Sequence, residues 1–307
     1  MIELTAGSGV QTRRLCWLVI FTILAFPDIR AQNDTLAKGH QDPWKFDGTF
    51  ILNINESTFT NWVAGGDNQV AINTIVKPIL IYDNKKWTWR IEFDYRHGFQ
   101  KINSEKVKKS EDVIKIETLA GRYISKYWKF SGLYSFNTQM QPSWDGEKLI
   151  SAFMAPCYTN LSLGFEYTPS AAFKLYMTPF NGRTTYVLND TLSARGEFGV
   201  SPGKSILLKF GPSILLSYKK EVVKNILVDT KVGYFQNILD GLGDPVVNWD
   251  AVISMKVTKI IATTFTFGLF YDPDSKIDIK DQNGNITGNE AKIQFKQTFG
   301  FGVNVNW

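Results

Sequence analysis

Residues 87–99, Trp-Thr-Trp-Arg-Ile-Glu-Phe-Asp-Tyr-Arg-His-Gly-Phe, alternate without a break. Trp87, Trp89, Ile91, Phe93, Tyr95, His97 and Phe99 occupy the odd positions, with Thr88, Arg90, Glu92, Asp94, Arg96 and Gly98 between them. Successive side chains of a strand point to opposite faces, so this segment has one aromatic and aliphatic face and one charged face. A half-buried strand of a soluble sheet alternates too. Thirteen residues, however, exceed the usual globular strand. A tilted membrane strand needs about nine to eleven residues, with rings at both interfaces.

The same test gives twelve candidate strands: 46–54, 70–82, 87–99, 112–123, 127–140, 153–167, 171–179, 205–218, 225–235, 246–257, 261–271 and 292–307. In the last of these, Phe295, Phe299, Phe301, Val303, Val305 and Trp307 share one face. That alternation ending on an aromatic resembles the signal by which outer-membrane barrels are recognised by their assembly machinery. The connections supply an independent pattern. Those at 83–86, 124–126, 168–170, 219–224 and 258–260 are short. Those at 55–69, 100–111, 141–152, 180–204, 236–245 and 272–291 are long. Short turns on one side and long loops on the other mark an outer-membrane barrel, the short side being periplasmic. An unpaired backbone N–H or C=O in hydrocarbon costs several kcal/mol, so the expected fold is an all-β, closed, antiparallel up-and-down transmembrane barrel of about twelve strands.

Residues 1–31 read as a cleaved export signal: Arg13 and Arg14, the apolar run Cys16–Phe26, then Pro27 and Ala31. Eleven apolar residues are too few to cross a bilayer as a helix. Residues 32–45 form a periplasmic lead-in and 46–307 the barrel. Removal of the signal leaves Cys157 as the single thiol, without a disulfide partner, and Cys157 reads as a small apolar filler alternating with Phe153, Ala155 and Leu161. The 34 basic and 29 acidic side chains are spread along the chain, with no like-charge block that would serve as a nucleic-acid tail.

If the apolar faces meet lipid, the opposite faces line the interior. Arg90, Glu92, Asp94, Arg96, Lys115, Glu117, Lys129, Asp229, Lys231 and Asp250 are the candidate lumen residues, joined by Lys174, Lys209, Lys256, Lys296 and Glu166. This is a mixed lining of both signs, compatible with a hydrated pore or a salt-bridged, nearly closed core. Chemistry is sparse. His40 and His97 are the only histidines, which leaves little for a metal site or a Ser–His pair. No catalytic, cofactor or metal residues are assigned. Asp272, Asp274 and Asp278 with Asp281–Asn285 fail the EF-hand spacing and read as a solvated loop. Trp62-Val-Ala-Gly65-Gly66-Asp67-Asn68 lacks the Lys-Ser/Thr and helix of a phosphate loop and reads as a tight turn.

Several strings together resemble a Bacteroidota outer-membrane family known only as domain-of-unknown-function family 3078. They are Trp62–Asn68, Asn137-Thr-Gln139, Ser151–Tyr158, Thr178–Arg183, Val247–Asp250 and Tyr271-Asp272. Asn137 stands where that family has a basic residue, and Arg183 where Lys is usual. The resemblance implies a barrel in a Gram-negative outer membrane and supplies no activity. The expected partners are outer-membrane lipid and lipopolysaccharide, with the barrel assembly machinery during insertion. Two functional readings stay open: a narrow pore or transporter for small polar solutes, and a non-conducting scaffold or assembly partner. A lipid-modifying enzyme comes third.

Overall fold

A computed structural model of the chain describes residues 42–57, 67–239, 241–280 and 286–307. The expected export signal, most of the lead-in, Trp62, Gly65, Gly66 and the 281–285 stretch lie outside the described residues. The strands in chain order begin with β1 (Trp44–Ser57), β2 (Gln69–Asp83), β3 (Trp87–Ile102), β4 (Lys108–Tyr123) and β5 (Trp128–Thr138). Then come β6 (Ser143–Asp145), β7 (Lys148–Ser151), β8 (Cys157–Ser170), β9 (Phe173–Tyr186), β10 (Ile206–Val223) and β11 (Ile226–Phe235). Last are β12 (Val246–Lys256), β13 (Ile261–Tyr271), β14 (Lys276–Lys280), β15 (Ile286–Ala291) and β16 (Gln294–Asn306). Twelve of them close into one barrel in the order β1-β16-β13-β12-β11-β10-β9-β8-β5-β4-β3-β2, and β6–β7 and β14–β15 are separate hairpins in the loops between barrel strands.

Closure is made by β1 and β16, antiparallel from Thr49↔Asn306 to Ile54↔Phe301. The main chains of Gly48 and Trp307 extend it, each donating to the other at 3.0 and 3.2 Å. Two glycines permit the close approach. A Cβ on Gly302 would lie 1.8 Å from the Leu52 carbonyl oxygen, and one on Gly48 would lie 2.2 Å from the Trp307 ring.

The distribution of side chains inverts that of a soluble protein. Trp87, Trp89, Phe130, Phe299 and Phe301 are exposed, whereas Glu92, Asp94, Lys129 and Glu166 are at most 7% exposed. An outward apolar surface of this extent is unstable in water and stable in hydrocarbon. Rings gather toward both rims. At the short-turn end Trp44 meets Tyr82 at 4.9 Å and Trp128 meets Tyr167 at 4.8 Å. Toward the long-loop end Phe267 contacts Trp249 at 4.7 Å and Phe295 at 5.1 Å.

The strand count matches expectation; the boundaries differ in several places, three of them for identifiable reasons. The strand expected at 153–167 starts only at Cys157. Met154 takes φ 56° and Ala152 and Ala155 bond to each other, so Phe153 and Ala155 belong to a turn and do not share a strand face with Cys157. The strand expected to stop at 179 continues to Tyr186 through Pro179. Proline breaks a ladder because it has no N–H, but here a bulge opens the register on both sides, between Leu163 and Phe165 and between Gly211 and Ser213. The Thr178 hydroxyl fills the gap, donating to the Leu163 carbonyl and accepting from the Phe180 N–H at 2.9 Å. The loop expected at 100–111 shrinks to the five residues between β3 and β4, because both strands extend past the bilayer-length core of the pattern.

The remaining long loops fold back on one another. A short helix α1 (Asp190–Ala194), capped by the Asn189 side chain on the Leu192 N–H at 3.1 Å, places Leu192 in a small core with Leu149, Ala155, Val187 and Val200. Lys148 and Asp278, paired at 2.6 Å, tie this cluster to the β14–β15 hairpin.

The seam and the apolar face are separately testable. Gly302→Val should abolish the heat-shifted band of the folded barrel on a detergent gel, because its side chain would occupy the space of the Leu52 carbonyl. Gly288→Ala, which meets nothing within 4 Å, should leave the band intact. Replacing Phe299 and Phe301 with Asp should deplete folded protein from membranes, a basic residue near the midplane costing about 2–4 kcal/mol and an acidic one somewhat less. Wild-type membrane levels in that double variant would show that this face does not meet lipid.

Candidate functional site

The site is the barrel interior, and the register dictates its centre. Glu92 of β3 is paired directly with Glu117 of β4 on the inward face. Two carboxylates side by side repel each other unless a cation sits between them. Lys231 supplies it from β11, six strands away around the barrel from β3. Its Nζ donates to Glu92 Oε1 at 3.0 Å and to Glu117 Oε1 at 3.2 Å. Arg90 holds the other Glu92 oxygen at 2.9 Å, and Lys115 lies 3.3 Å from Glu117.

A second layer lies one step toward the long loops. Arg96 grips Asp94 with two hydrogen bonds of 2.8 and 3.0 Å and reaches Asp250 of β12 at 3.6 Å. Lys77 of β2 stands between Asp94 at 3.8 Å and Asp229 of β11 at 3.6 Å. Both layers thus join the β2–β4 wall to the β11–β12 wall through the interior. Lys129 and Glu166 form a separate pair at 3.1 Å on β5 and β8, with Thr168 donating to the same carboxylate at 2.9 Å.

Space remains on each side of this belt. A cavity of about 740 Å³ opens toward the long loops, lined by Arg96, Lys115, Asn160, Arg183, Asn248 and Asp250 among others. Another of about 690 Å³ opens toward the short turns, lined by Lys45, Arg90, Glu117, Lys174, Lys219 and Lys256 among others. Asp229 and Lys231 border both, so the ion-pair belt is the partition between two polar vestibules.

All ten candidate lumen residues have their side chains inside the barrel, and nine of them, Arg90, Glu92, Asp94, Arg96, Lys115, Glu117, Asp229, Lys231 and Asp250, join with Lys77 in the belt network. Lys129 stands apart with Glu166. Lys77, Arg183 and Asp272 are among the participants that escaped the sequence reading. Lys77 sits in Ile75-Val-Lys-Pro-Ile-Leu-Ile, where Ile75 and Ile79 also face inward, so the two faces could not be told apart. Arg183 and Asp272 pair at 2.6 Å, the guanidinium lying 4.8 Å from the Tyr158 ring, at the roof of the upper vestibule. Both lie in stretches read as loops.

Of the Trp62–Asn68 string, Asp67 and Asn68 are described. Asn103, at φ 49°, clasps them, its Nδ2 donating to Asp67 Oδ1 at 2.6 Å and its Oδ1 accepting from the Asn68 N–H at 2.9 Å. The string's end therefore fastens the β1–β2 connection to the neighbouring β3–β4 turn. His97 faces outward between the Tyr95 and Phe99 rings, at 6.1 and 4.4 Å. Among the described residues no group of three His, Cys, Asp or Glu side chains could hold a metal ion.

Residues 54–144 match the profile of a family described as protein of unknown function (DUF3078), the same family that the sequence strings resemble. No curated protein matches the chain. Among solved structures, the barrel is similar to an outer-membrane channel from Pseudomonas putida F1 with a TM-score of 0.41 and 9% identity, covering 90% of this chain and 98% of that one. It is similar to the translocator domain of the autotransporter NalP from Neisseria meningitidis with a TM-score of 0.33 and 8% identity, covering 97% of each. At such scores the assignment of a closed barrel stands on this chain's own strand pairing.

Lys231→Met should lower the unfolding free energy by on the order of 3 kcal/mol, the scale for stripping one partner from a buried ion pair. Adding Glu117→Gln should recover part of the loss by removing one of the stranded charges. Urea midpoints followed by the gel shift measure both. An unchanged midpoint in the single variant would mean that vestibule water already solvates these carboxylates.

Proposed function

We propose that the protein is a narrow outer-membrane channel or transporter for small polar solutes, seated in the outer membrane of a Gram-negative bacterium, of the Bacteroidota by the family resemblance, after export by a cleaved signal. The observation that carries this reading is the pair of polar vestibules, about 740 and 690 Å³, that abut at Asp229 and Lys231. An interior built only to hold the wall together has no need of two such spaces, one behind each rim. The lining sets hydroxyls, amides and charges of both signs among apolar side chains, and those charges and hydrogen-bonding groups suit polar solutes. Among the described residues the two linings hold no histidine, and the reading includes no catalytic role.

A second reading is favoured by one specific feature. The belt joins opposing walls through paired charges, and a barrel cross-braced in this way could serve as a non-conducting scaffold. The two readings diverge in a planar bilayer. As a channel, the refolded protein should give discrete low-conductance steps, and Lys231→Met should enlarge them and shift selectivity toward cations, since it removes both a strut and a positive charge. Cysteines placed singly at 90, 92 and 94 in a Cys157→Ser background should react with a small water-soluble maleimide in membranes, while those at 89, 91 and 93 should resist it. A silent bilayer together with unreactive interior cysteines would leave the scaffold reading standing and sink the channel.

A further inference from the structure

On the outward face near the short-turn end, the barrel wall has a trough. Ala120 of β4 lies directly opposite Gly132 of β5. Where neighbouring pairs of this face carry rings or branched chains, this pair leaves a space of about 630 Å³. Trp87 and Phe130 form its sides and Ile124 lies at its lower end. The apolar walls fit a hydrocarbon chain.

At the mouth stands a residue that the apolar face does not explain. Arg122 is the register partner of both Trp87 and Phe130, so its side chain emerges among rings on the lipid-side surface. Its guanidinium carbon lies 5.6 Å from the Trp87 ring centroid, and no carboxylate among the described residues is within ion-pair distance of it. The nearby Asp83 is engaged elsewhere, accepting from the Tyr123 hydroxyl at 2.9 Å and from the Lys85 N–H at 2.8 Å. Two more cations belong to the adjoining turns. Lys86 carries the carbonyl that accepts the Tyr123 N–H at 3.1 Å, and the Lys126 ammonium lies 4.9 Å from the Tyr127 ring. Arg122 and these turns adjoin the strand ends that carry Trp44, Tyr82, Trp128 and Tyr167, an aromatic rim of the kind that lies at the level of lipid headgroups.

We propose that this trough is a binding site for one anionic glycerophospholipid of the leaflet at the short-turn end, with an acyl chain over Ala120 and Gly132 and the phosphodiester on Arg122. Guanidinium is the side chain best matched to a phosphate, presenting a planar fork of donors, and its long stem lies along apolar surface while its head reaches the interface. A free phosphate has no use for the apolar floor. A zwitterionic lipid brings its own cation to the same place, where Lys86 and Lys126 disfavour it. The inference rests on the reading that the barrel sits in a bilayer, and it is independent of whether the interior conducts.

The test is native mass spectrometry of the folded protein, released from mixed micelles holding equal amounts of phosphatidylglycerol and phosphatidylcholine. The wild type should retain one phosphatidylglycerol several-fold over phosphatidylcholine. Arg122→Gln should bring that ratio close to unity, Arg122→Lys should keep part of the preference, and Ala120→Leu should reduce retention of both lipids by filling the floor. Excess inorganic phosphate should not displace the lipid. Equal retention in the wild type and in Arg122→Gln, or displacement by phosphate alone, would overturn the proposal. The gel shift and flotation with vesicles are read for every variant. A wild type that fails to float would overturn both the membrane reading and the site, whereas flotation without lipid preference would overturn the site alone.

Discussion

A backbone amide or carbonyl left unpaired in hydrocarbon costs several kcal/mol, and a sheet with free edges exposes a row of them. Everything else in this molecule depends on abolishing those edges. The β1–β16 ladder does so, and it makes demands on composition that have nothing to do with function: Gly302 against the Leu52 carbonyl, Gly48 beneath the Trp307 ring. Once the sheet closes, every inward residue must share a confined space with residues from strands far away in sequence. The charges of the interior follow from closure.

Those charges face opposing costs. Desolvating an ion is expensive, and mutual attraction repays it only where geometry is good and further hydrogen bonds are made. Glu92 and Asp94 meet both conditions, each held by an arginine on its own strand and by a lysine from another. Water in the vestibules above and below would lessen the desolvation and also weaken the pairing. A partition of this kind is stable as long as its pairs are complete. Removal of a single partner affects both walls at once.

The sequence announced the architecture because a membrane strand must alternate over its whole bilayer-crossing length, and segments such as 87–99 and 261–271 do so with little exception. Lumen candidates followed from the same parity, which is why Arg90 to Arg96 were found. Parity fails where both faces carry similar residues. Lys77 was missed because Ile75 and Ile79 point inward beside it, and the continuation of β9 was missed because Pro179 and Gly182 imitate a turn that a bulge and the Thr178 hydroxyl override. Pairing across the barrel was not legible at all. No local pattern says that Lys231 will stand between Glu92 and Glu117, since that depends on how many strands close the circle. The loop cluster around Leu192 was hidden for a related reason, its few apolar residues being scattered over two separate connections.

The reach of Lys231 has a consequence for the order of events in assembly. Its partner Glu92 is 139 residues away in the chain and on the far side of the barrel. Neighbouring strands can zip together one after another, each using only its predecessor, but this contact forms only once the sheet has curved far enough to bring β11 opposite β3. Until the circle closes, Lys231 is away from its partners and the Glu92–Glu117 pair has only Arg90 and Lys115, from its own two strands, to offset the repulsion. The belt therefore cannot guide the strands to their places; it can only ratify a circle already drawn. It acts as a latch thrown last, raising the barrier to reopening while doing nothing to speed closure.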